Sequence, residues 1–105
     1  MDFEVIWSEF AEKQVDKIFD YYRKVANERI ATEIARNLLT EPLRLKKNPF
    51  IGQKEELLEE RQISYRYLVF KHYKIIYSVD EENGFIKIAD VFATRQEPAK
   101  IKRSK

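Results

Sequence analysis

Apolar residues recur every three or four positions through the first third of the chain, which is the spacing of amphipathic helices. A short apolar run, Phe3–Trp7, precedes this pattern and predicts a first strand. Ser8 is a typical helix N-cap, and acidic residues follow it in the first turn, where the helix dipole favours them. We expect this helix to end near 25–27. Its apolar stripe consists of Phe10, Val15, Ile18, Phe19 and Tyr22.

A second helix follows with almost no loop. Asn27 is suited to cap it, and Ile30, Ile34 and Leu38 recur every four residues. Two amphipathic helices joined so closely predict an antiparallel hairpin. Pro42 lacks an amide hydrogen, so we expect a kink or a restart near 40–41. Pro49 and Gly52 then mark a loop.

Beyond this loop the hydrophobic pattern changes to a period of two, which is typical of strands. It predicts strands over 61–70, 73–80 and 85–94. Lys71-His72 makes a tight connection between the first two. Asn83-Gly84 predicts a hairpin turn before the last one, because both residues tolerate positive φ.

Alternation divides the side chains of these strands between two faces. The residues expected to face the helices are Ile63, Tyr65, Tyr67, Val69, Tyr73, Ile75, Tyr77 and Val79. In the last strand, where the pattern is less clean, the inward set is Ile86, Ile88 and Phe92, and the outward set is Lys87, Ala89, Val91, Ala93 and Arg95. This register places Asp90 inward, where a carboxylate needs a buried partner, and the opposite register remains open.

The order of elements predicts an α+β fold in a single domain over 1–105. It consists of a short N-terminal strand, a helical hairpin and a three-strand antiparallel meander, with the helices packed on one face of the sheet. In the chosen register the open face displays Arg66, Lys74, Lys87 and Arg95. These four cations predict a positive surface that binds phosphate or carboxylate groups.

Composition narrows the chemistry further. The chain has 105 residues and no cysteine, which excludes disulfides, thiol nucleophiles and cysteine zinc sites. Its single histidine cannot build a His-rich metal site, and no cofactor motif is visible. Residues 1–60 carry a balance of −3 and residues 61–105 a balance of +5, so the second half favours a polyanion or an acidic protein. No signal peptide or membrane segment is visible, and we expect a cytoplasmic protein.

Four stretches resemble the RelE/ParE superfamily of bacterial type II toxins. The start Val5–Ala11 resembles the short strand that leads into the first helix of that family, and 45–52 resembles its Leu-x-x-x-Pro-x-x-Gly loop. Residues 73–80 resemble its Tyr-Arg-Ile-x-Tyr-x-Val strand, with Lys74 in place of arginine. Residues 88–96 resemble its final strand. The resemblance implies a growth-inhibiting toxin, of the kind linked to plasmid stabilization, that a cognate antitoxin neutralises.

The superfamily divides by mechanism. RelE-like members resemble ribosome-dependent, metal-independent mRNA endonucleases, in which cations hold the scissile phosphate and a C-terminal Tyr or His transfers protons. ParE-like members are not enzymes and poison DNA gyrase by binding it. Arg95 matches the terminal arginine of the family, and Arg66 and Lys74 are candidate phosphate ligands. No Tyr or His follows Arg95, which favours the ParE-like interpretation.

Two further interpretations stay open. One is an endonuclease with a non-standard acid–base set, in which His72 or a sheet tyrosine transfers the proton. The other is an interaction module that has lost its toxicity. We expect the antitoxin to bind as a helix or an added strand across the helical hairpin and sheet. The acidic run 55–60 reads as a solvated segment, and the basic 96–105 as a flexible tail that could dock on nucleic acid or on the antitoxin.

Overall fold

A computed structural model describes residues 2–55 and 63–94 of the chain. Two helices and a five-stranded sheet form an α+β fold, as the sequence predicts. The elements are β1 (Glu4–Trp7), α1 (Glu9–Val25), α2 (Glu28–Thr40), a 3₁₀ helix (Glu41–Leu45), β2 (Gln53–Lys54), β3 (Tyr65–Phe70), β4 (Tyr73–Asp80) and β5 (Phe85–Ala93).

The helices begin and end where their capping residues place them. The Ser8 hydroxyl accepts a hydrogen bond from the Ala11 amide at 3.0 Å, and Asn27 Oδ1 accepts one from the Ile30 amide at 2.8 Å. The chain restarts as the 3₁₀ helix with Pro42 in its first turn. These predictions are confirmed. In the described ranges, no helix is long and apolar enough to span a membrane.

The sheet has the order β1-β5-β4-β3-β2. β1 pairs in parallel with β5, so the N-terminal strand extends the meander on one side. β2, which the sequence analysis did not predict, pairs antiparallel with β3 at the other edge. The strand predicted over 61–70 begins at Tyr65, and residues 61 and 62 lie outside the described ranges.

The main core lies between the helices and one face of the sheet. Its fully buried members include Ala11 and Leu38 from the helices and Ile75, Tyr77, Ile86 and Ile88 from the sheet. Val5 and Trp7 of β1 pack against the same cluster. Tyr73, Ile75 and Tyr77 therefore face the helices as predicted.

Tyr65 and Tyr67, predicted to face the helices as well, lie on the other face. The two-residue turn pairs Phe70 with Tyr73, and residues directly opposite in an antiparallel pair point to the same side. The even-numbered Leu68 and Phe70 of β3 therefore join the main core, and the odd-numbered tyrosines point away. Ile63, also assigned inward, precedes β3 and is exposed.

A β-bulge reverses the predicted face of the end of β5. Ile76 pairs with Asp90 and Tyr77 with Ile88, which leaves Ala89 as an extra residue. Val91 and Ala93, predicted outward, consequently join the main core, and Phe92, predicted inward, joins the other face. Asp90 lies there too. It is fully buried, and its Oδ1 accepts a hydrogen bond from the Val91 amide at 2.7 Å.

The face without helices is not an open polar surface. Tyr65, Ile76 and Phe92 form a second buried cluster there, with Tyr67 and Ala89 packed against it. Any functional cation on this face therefore sits among buried aromatic and aliphatic groups rather than on a solvated sheet.

Candidate functional site

Of the four cations predicted to share the open face, three lie within the described ranges, and these three do not all lie on one face of the sheet. Lys74 and Lys87 lie on the face that carries the second cluster, because they pair with Phe92 and Ser78. Arg66 pairs with Tyr77 and points to the helix side, so its predicted placement is wrong. The turn that pairs residue 70 with residue 73 is the cause, as it is for the tyrosines. Arg95 lies outside the described residues.

Lys74 is a buried member of an ion pair. Its Nζ lies 3.1 Å from Glu55 Oε1, and the two side chains are only 12 % and 4 % exposed. The ammonium also lies 4.0 Å from the centroid of the Tyr67 ring, within cation–π range. A lysine so enclosed has little surface to offer to a phosphate group. Glu55 was expected in a solvated run and is instead buried, while residues 56–60 lie outside the described ranges.

Arg66 holds the loop that contains Pro49 and Gly52. Its Nη1 donates to the carbonyl oxygen of Gly52 at 2.9 Å and to that of Phe50 at 3.3 Å. The guanidinium carbon lies 5.1 Å from the centroid of the Phe50 ring. These contacts fix the position of the arginine and of the loop at the same time.

The buried phenol of Tyr77 supports this loop from beneath. Its hydroxyl donates to the Pro49 carbonyl oxygen at 2.8 Å and accepts from the Gly52 amide at 3.0 Å. Burial raises the pKa of Tyr77 above its usual range, and the hydrogen bond from Gly52 and the charges of Arg66 and Arg44 oppose that rise. The phenol is therefore neutral and serves as a structural hydrogen-bonding group.

We expect Tyr77→Phe to lower the free energy of unfolding by about 2 kcal/mol, because a buried carbonyl and a buried amide each lose their partner. The raised pKa adds a pH dependence. Above the usual tyrosine pKa of about 10, the unfolded chain loses this proton before the folded chain does, so stability falls with rising pH. Urea unfolding between pH 8 and 11 should show a shallower alkaline loss for Tyr77→Phe than for the natural protein. Equal slopes would contradict this role.

Lys87, the other cation on the face of the second cluster, is half exposed and ion-paired. Its Nζ lies 3.4 Å from Asp80 Oδ2. Asn83 donates to the same carboxylate through its side chain at 2.9 Å and its backbone amide at 3.2 Å. The two Asn83 hydrogen bonds, and then Lys87, hold the pKa of Asp80 below its usual range. This group closes the predicted 83–84 turn.

His72 lies in the β3–β4 turn and belongs to a chain of hydrogen-bonding groups. The Tyr73 hydroxyl donates to the Tyr22 hydroxyl at 3.3 Å, and that hydroxyl lies 3.4 Å from His72 Nε2. The imidazole also packs on the Tyr73 ring, with 4.4 Å between centroids. The Thr94 amide donates to the His72 carbonyl oxygen at 2.8 Å, so the backbone that directly follows β5 lies beside this turn.

Sequence reasoning identified His72 but missed Tyr22, which helical spacing had assigned to the core stripe of α1. Only the packing of α1 against the β3–β4 turn brings the two together. A neutral imidazole beside two phenols can accept and pass on a proton, so this turn is the part of the described chain best suited to acid–base chemistry. No group of three or more potential metal ligands occurs in the described ranges.

The comparisons with known proteins agree with this architecture. Residues 5–98 match the model of the ParE toxin of the type II toxin–antitoxin system parDE. No curated protein matched the sequence. Among solved structures, the chromosomal ParDE toxin–antitoxin system from P. aeruginosa is similar at 16 % identity and a TM-score of 0.71, covering 87 % of this chain and 95 % of that one.

Two RelE-type structures share the fold at lower similarity. The RelBE2 toxin–antitoxin complex from Mycobacterium tuberculosis has 16 % identity and a TM-score of 0.57, covering 89 % of this chain and 99 % of that one. A mutant of the E. coli toxin RelE in the free state has 13 % identity and a TM-score of 0.54, covering 92 % of this chain and 88 % of that one. Because the family model spans nearly all of the chain, the protein belongs to the ParE toxin family of type II toxin–antitoxin systems.

Proposed function

We propose that the protein inhibits bacterial growth in the cytoplasm by binding DNA gyrase, without catalysing a reaction, and that its cognate antitoxin neutralises it. Membership of the ParE family, rather than of a RelE family, supports a gyrase-directed toxin. The similarity to RelE-type structures concerns the fold and leaves the target to be decided by chemistry.

The observation that carries this proposal is the environment of Lys74 and Arg66, the candidate phosphate ligands that lie within the described ranges. RNA cleavage needs cations that can reach a phosphate and stabilise its developing charge. Lys74 is buried against Glu55, and Arg66, on the opposite face, is bonded to loop carbonyls. Neither is free to close on a scissile phosphate alongside the other. Recognition of a protein surface makes no such demand.

Purified protein should inhibit DNA supercoiling by bacterial gyrase and should leave RNA intact in a translating extract. In cells, expression without the antitoxin should cause growth arrest with filamentation and DNA-damage signalling, and co-expression of the antitoxin should restore growth. Primer extension on cellular transcripts provides the opposing readout. New transcript ends, together with unaffected gyrase, would refute the proposal.

The His72 turn supports a second candidate, an mRNA endonuclease with a non-standard acid–base set. Here His72, positioned by the hydroxyl of Tyr22, would accept the proton of the attacking 2′-hydroxyl. His72→Ala should then abolish both transcript cleavage and growth arrest, while Tyr22→Phe should reduce the cleavage rate. For a gyrase-binding toxin, we expect His72→Ala to leave growth arrest unchanged, because the side chain is exposed outside the loop proposed below as the binding surface.

A further inference from the structure

The exposed apolar residues of the described chain include a set beside several cations. These residues lie on the loop between the 3₁₀ helix and β2, on the adjoining ends of those two elements, and on β3. We call this set the basic loop: Arg44, Lys46, Lys47, Phe50, Ile51, Lys54 and Arg66. Phe50 and Ile51 are 48 % and 47 % exposed, although hydrogen bonds anchor the backbone of the loop that carries them.

Lys54, Arg66 and Phe50 lie side by side in the basic loop. Lys54 lies directly opposite Arg66 in the β2–β3 ladder, so both side chains point to the same side of the sheet. Arg66 in turn contacts Phe50. The positive charges of Arg44 and Arg66 both lower the pKa of Tyr77. The hydroxyl of Tyr77 forms hydrogen bonds to Pro49 and Gly52 within the loop.

Among the residues that the structure describes, the basic loop carries more positive than negative charge. Glu41 lies 2.6 Å from Arg44 and compensates that arginine. No other carboxylate in the described ranges lies within ion-pair distance of the basic loop. Such a surface attracts an acidic partner and increases the rate at which the two associate.

The chemistry of the surface favours a protein over a nucleic acid. Ile51 is aliphatic and offers no ring for base stacking, and one face of Phe50 is occupied by the Arg66 guanidinium. The donors of Arg66 are partly used by two backbone carbonyls, which limits its bidentate binding to phosphate. Exposed aromatic and aliphatic groups flanked by arginine are instead typical of the energetic centre of protein interfaces.

The loop is also preorganised. The hydroxyl of Tyr77 and the guanidinium of Arg66 together make four hydrogen bonds to its backbone. A rigid surface loses little conformational entropy on binding, which suits a partner that is itself folded, such as an enzyme. A segment of antitoxin that folds as it binds gains less from this rigidity.

We propose that the basic loop is the surface with which the toxin contacts its protein target, through an acidic patch of that target with exposed apolar side chains. This proposal rests on the proposed function, since it assumes that the toxin acts by binding a protein. It names the contact residues, of which Phe50, Ile51 and Lys54 are exposed.

The test uses Ile51→Glu and Lys54→Glu in the full chain. Matched controls are Ile63→Glu and Lys71→Glu, which make the same two changes at exposed positions outside both the loop and the helical hairpin. Each variant is measured for growth arrest, for affinity to purified bacterial gyrase, for affinity to the cognate antitoxin and for thermal stability. We expect the two loop variants to bind gyrase about tenfold more weakly or worse and to lose growth arrest. Antitoxin binding and melting temperature should match those of the controls.

Three results would overturn the assignment. Loop variants that arrest growth as the natural protein does would exclude the loop as the target contact. Variants that stay toxic but escape the antitoxin would assign the loop to the antitoxin instead. RNA binding that the loop variants lose would assign it to nucleic acid. If the natural protein fails to bind gyrase, the proposed function fails, and loss of growth arrest in the loop variants alone would still support a protein target other than gyrase.

Discussion

Replacing Gly52 with alanine should destabilise the protein by about 3 kcal/mol, more than any exposed substitution in the same loop. A Cβ at this position would overlap the hydroxyl of Tyr77 and would lie 2.7 Å from the carbonyl oxygen of Tyr67. The phenol is buried and the carbonyl belongs to the β2–β3 ladder, so neither can move without breaking hydrogen bonds. Chemical denaturation of both proteins measures the difference directly.

Gly84 provides the matched control for this experiment. It adopts a φ of +73° in the β4–β5 turn, and a Cβ there would meet no atom within 4 Å. Gly84→Ala therefore introduces only backbone strain, of about 1 kcal/mol. Adding Tyr77→Phe to Gly52→Ala removes the overlap with the hydroxyl and leaves those with the ring of residue 77 and with the Tyr67 carbonyl oxygen, so we expect less than the sum of the two single losses. If Gly52→Ala lowers the free energy of unfolding no more than Gly84→Ala does, the loop can shift to accommodate a Cβ at position 52, which would contradict this prediction.

The ends of the helices and the positions of the longer strands could be predicted from the sequence, because residues close in the chain determine them. Ser8 and Asn27 cap the helices they precede, and Pro42 ends the second helix where its missing amide hydrogen requires. The bounds of β4 and the start of β5 followed from the two-residue period and from the Asn83-Gly84 turn. The β2 strand was missed because two residues are too few to show any period.

The faces of the sheet were harder to predict, since alternation gives two faces but does not say which one the helices cover. The turn that pairs Phe70 with Tyr73 decides this for β3, and the bulge at Ala89 decides it for the end of β5. The bulge leaves no clear signal in sequence, whereas the two-residue connection at Lys71-His72 was predicted and already implies that Phe70 lies opposite Tyr73. The predicted site depended on these faces. Because the face of β3 was assigned incorrectly, Arg66 was predicted to share a face with Lys74, whereas it lies on the opposite one. Glu55 was unrecognised as a partner of Lys74, because a single member of an acidic run carries no mark of burial.

The Glu55–Lys74 pair allows the second large effect to be predicted. Glu55→Ala would remove the carboxylate that lies 3.1 Å from the ammonium of a lysine only 12 % exposed, and we expect a loss of about 3 kcal/mol in the free energy of unfolding. Lys74→Ala should cost a comparable amount for the converse reason. A domain of this size has roughly 5 to 15 kcal/mol of stability in total, so either variant should melt at a clearly lower temperature.

A functional role for Lys74 can be separated from this structural one by removing both charges together. Replacing a buried ion pair with apolar residues of similar volume is often neutral for stability, so Glu55→Leu combined with Lys74→Met should recover most of the loss. Growth arrest by this double variant decides the role of the lysine. If the only role of Lys74 is to stabilise the fold, the folded double variant is as toxic as the natural protein. If it is stable yet harmless, the ammonium is required at the target, and phosphate binding by this face regains support.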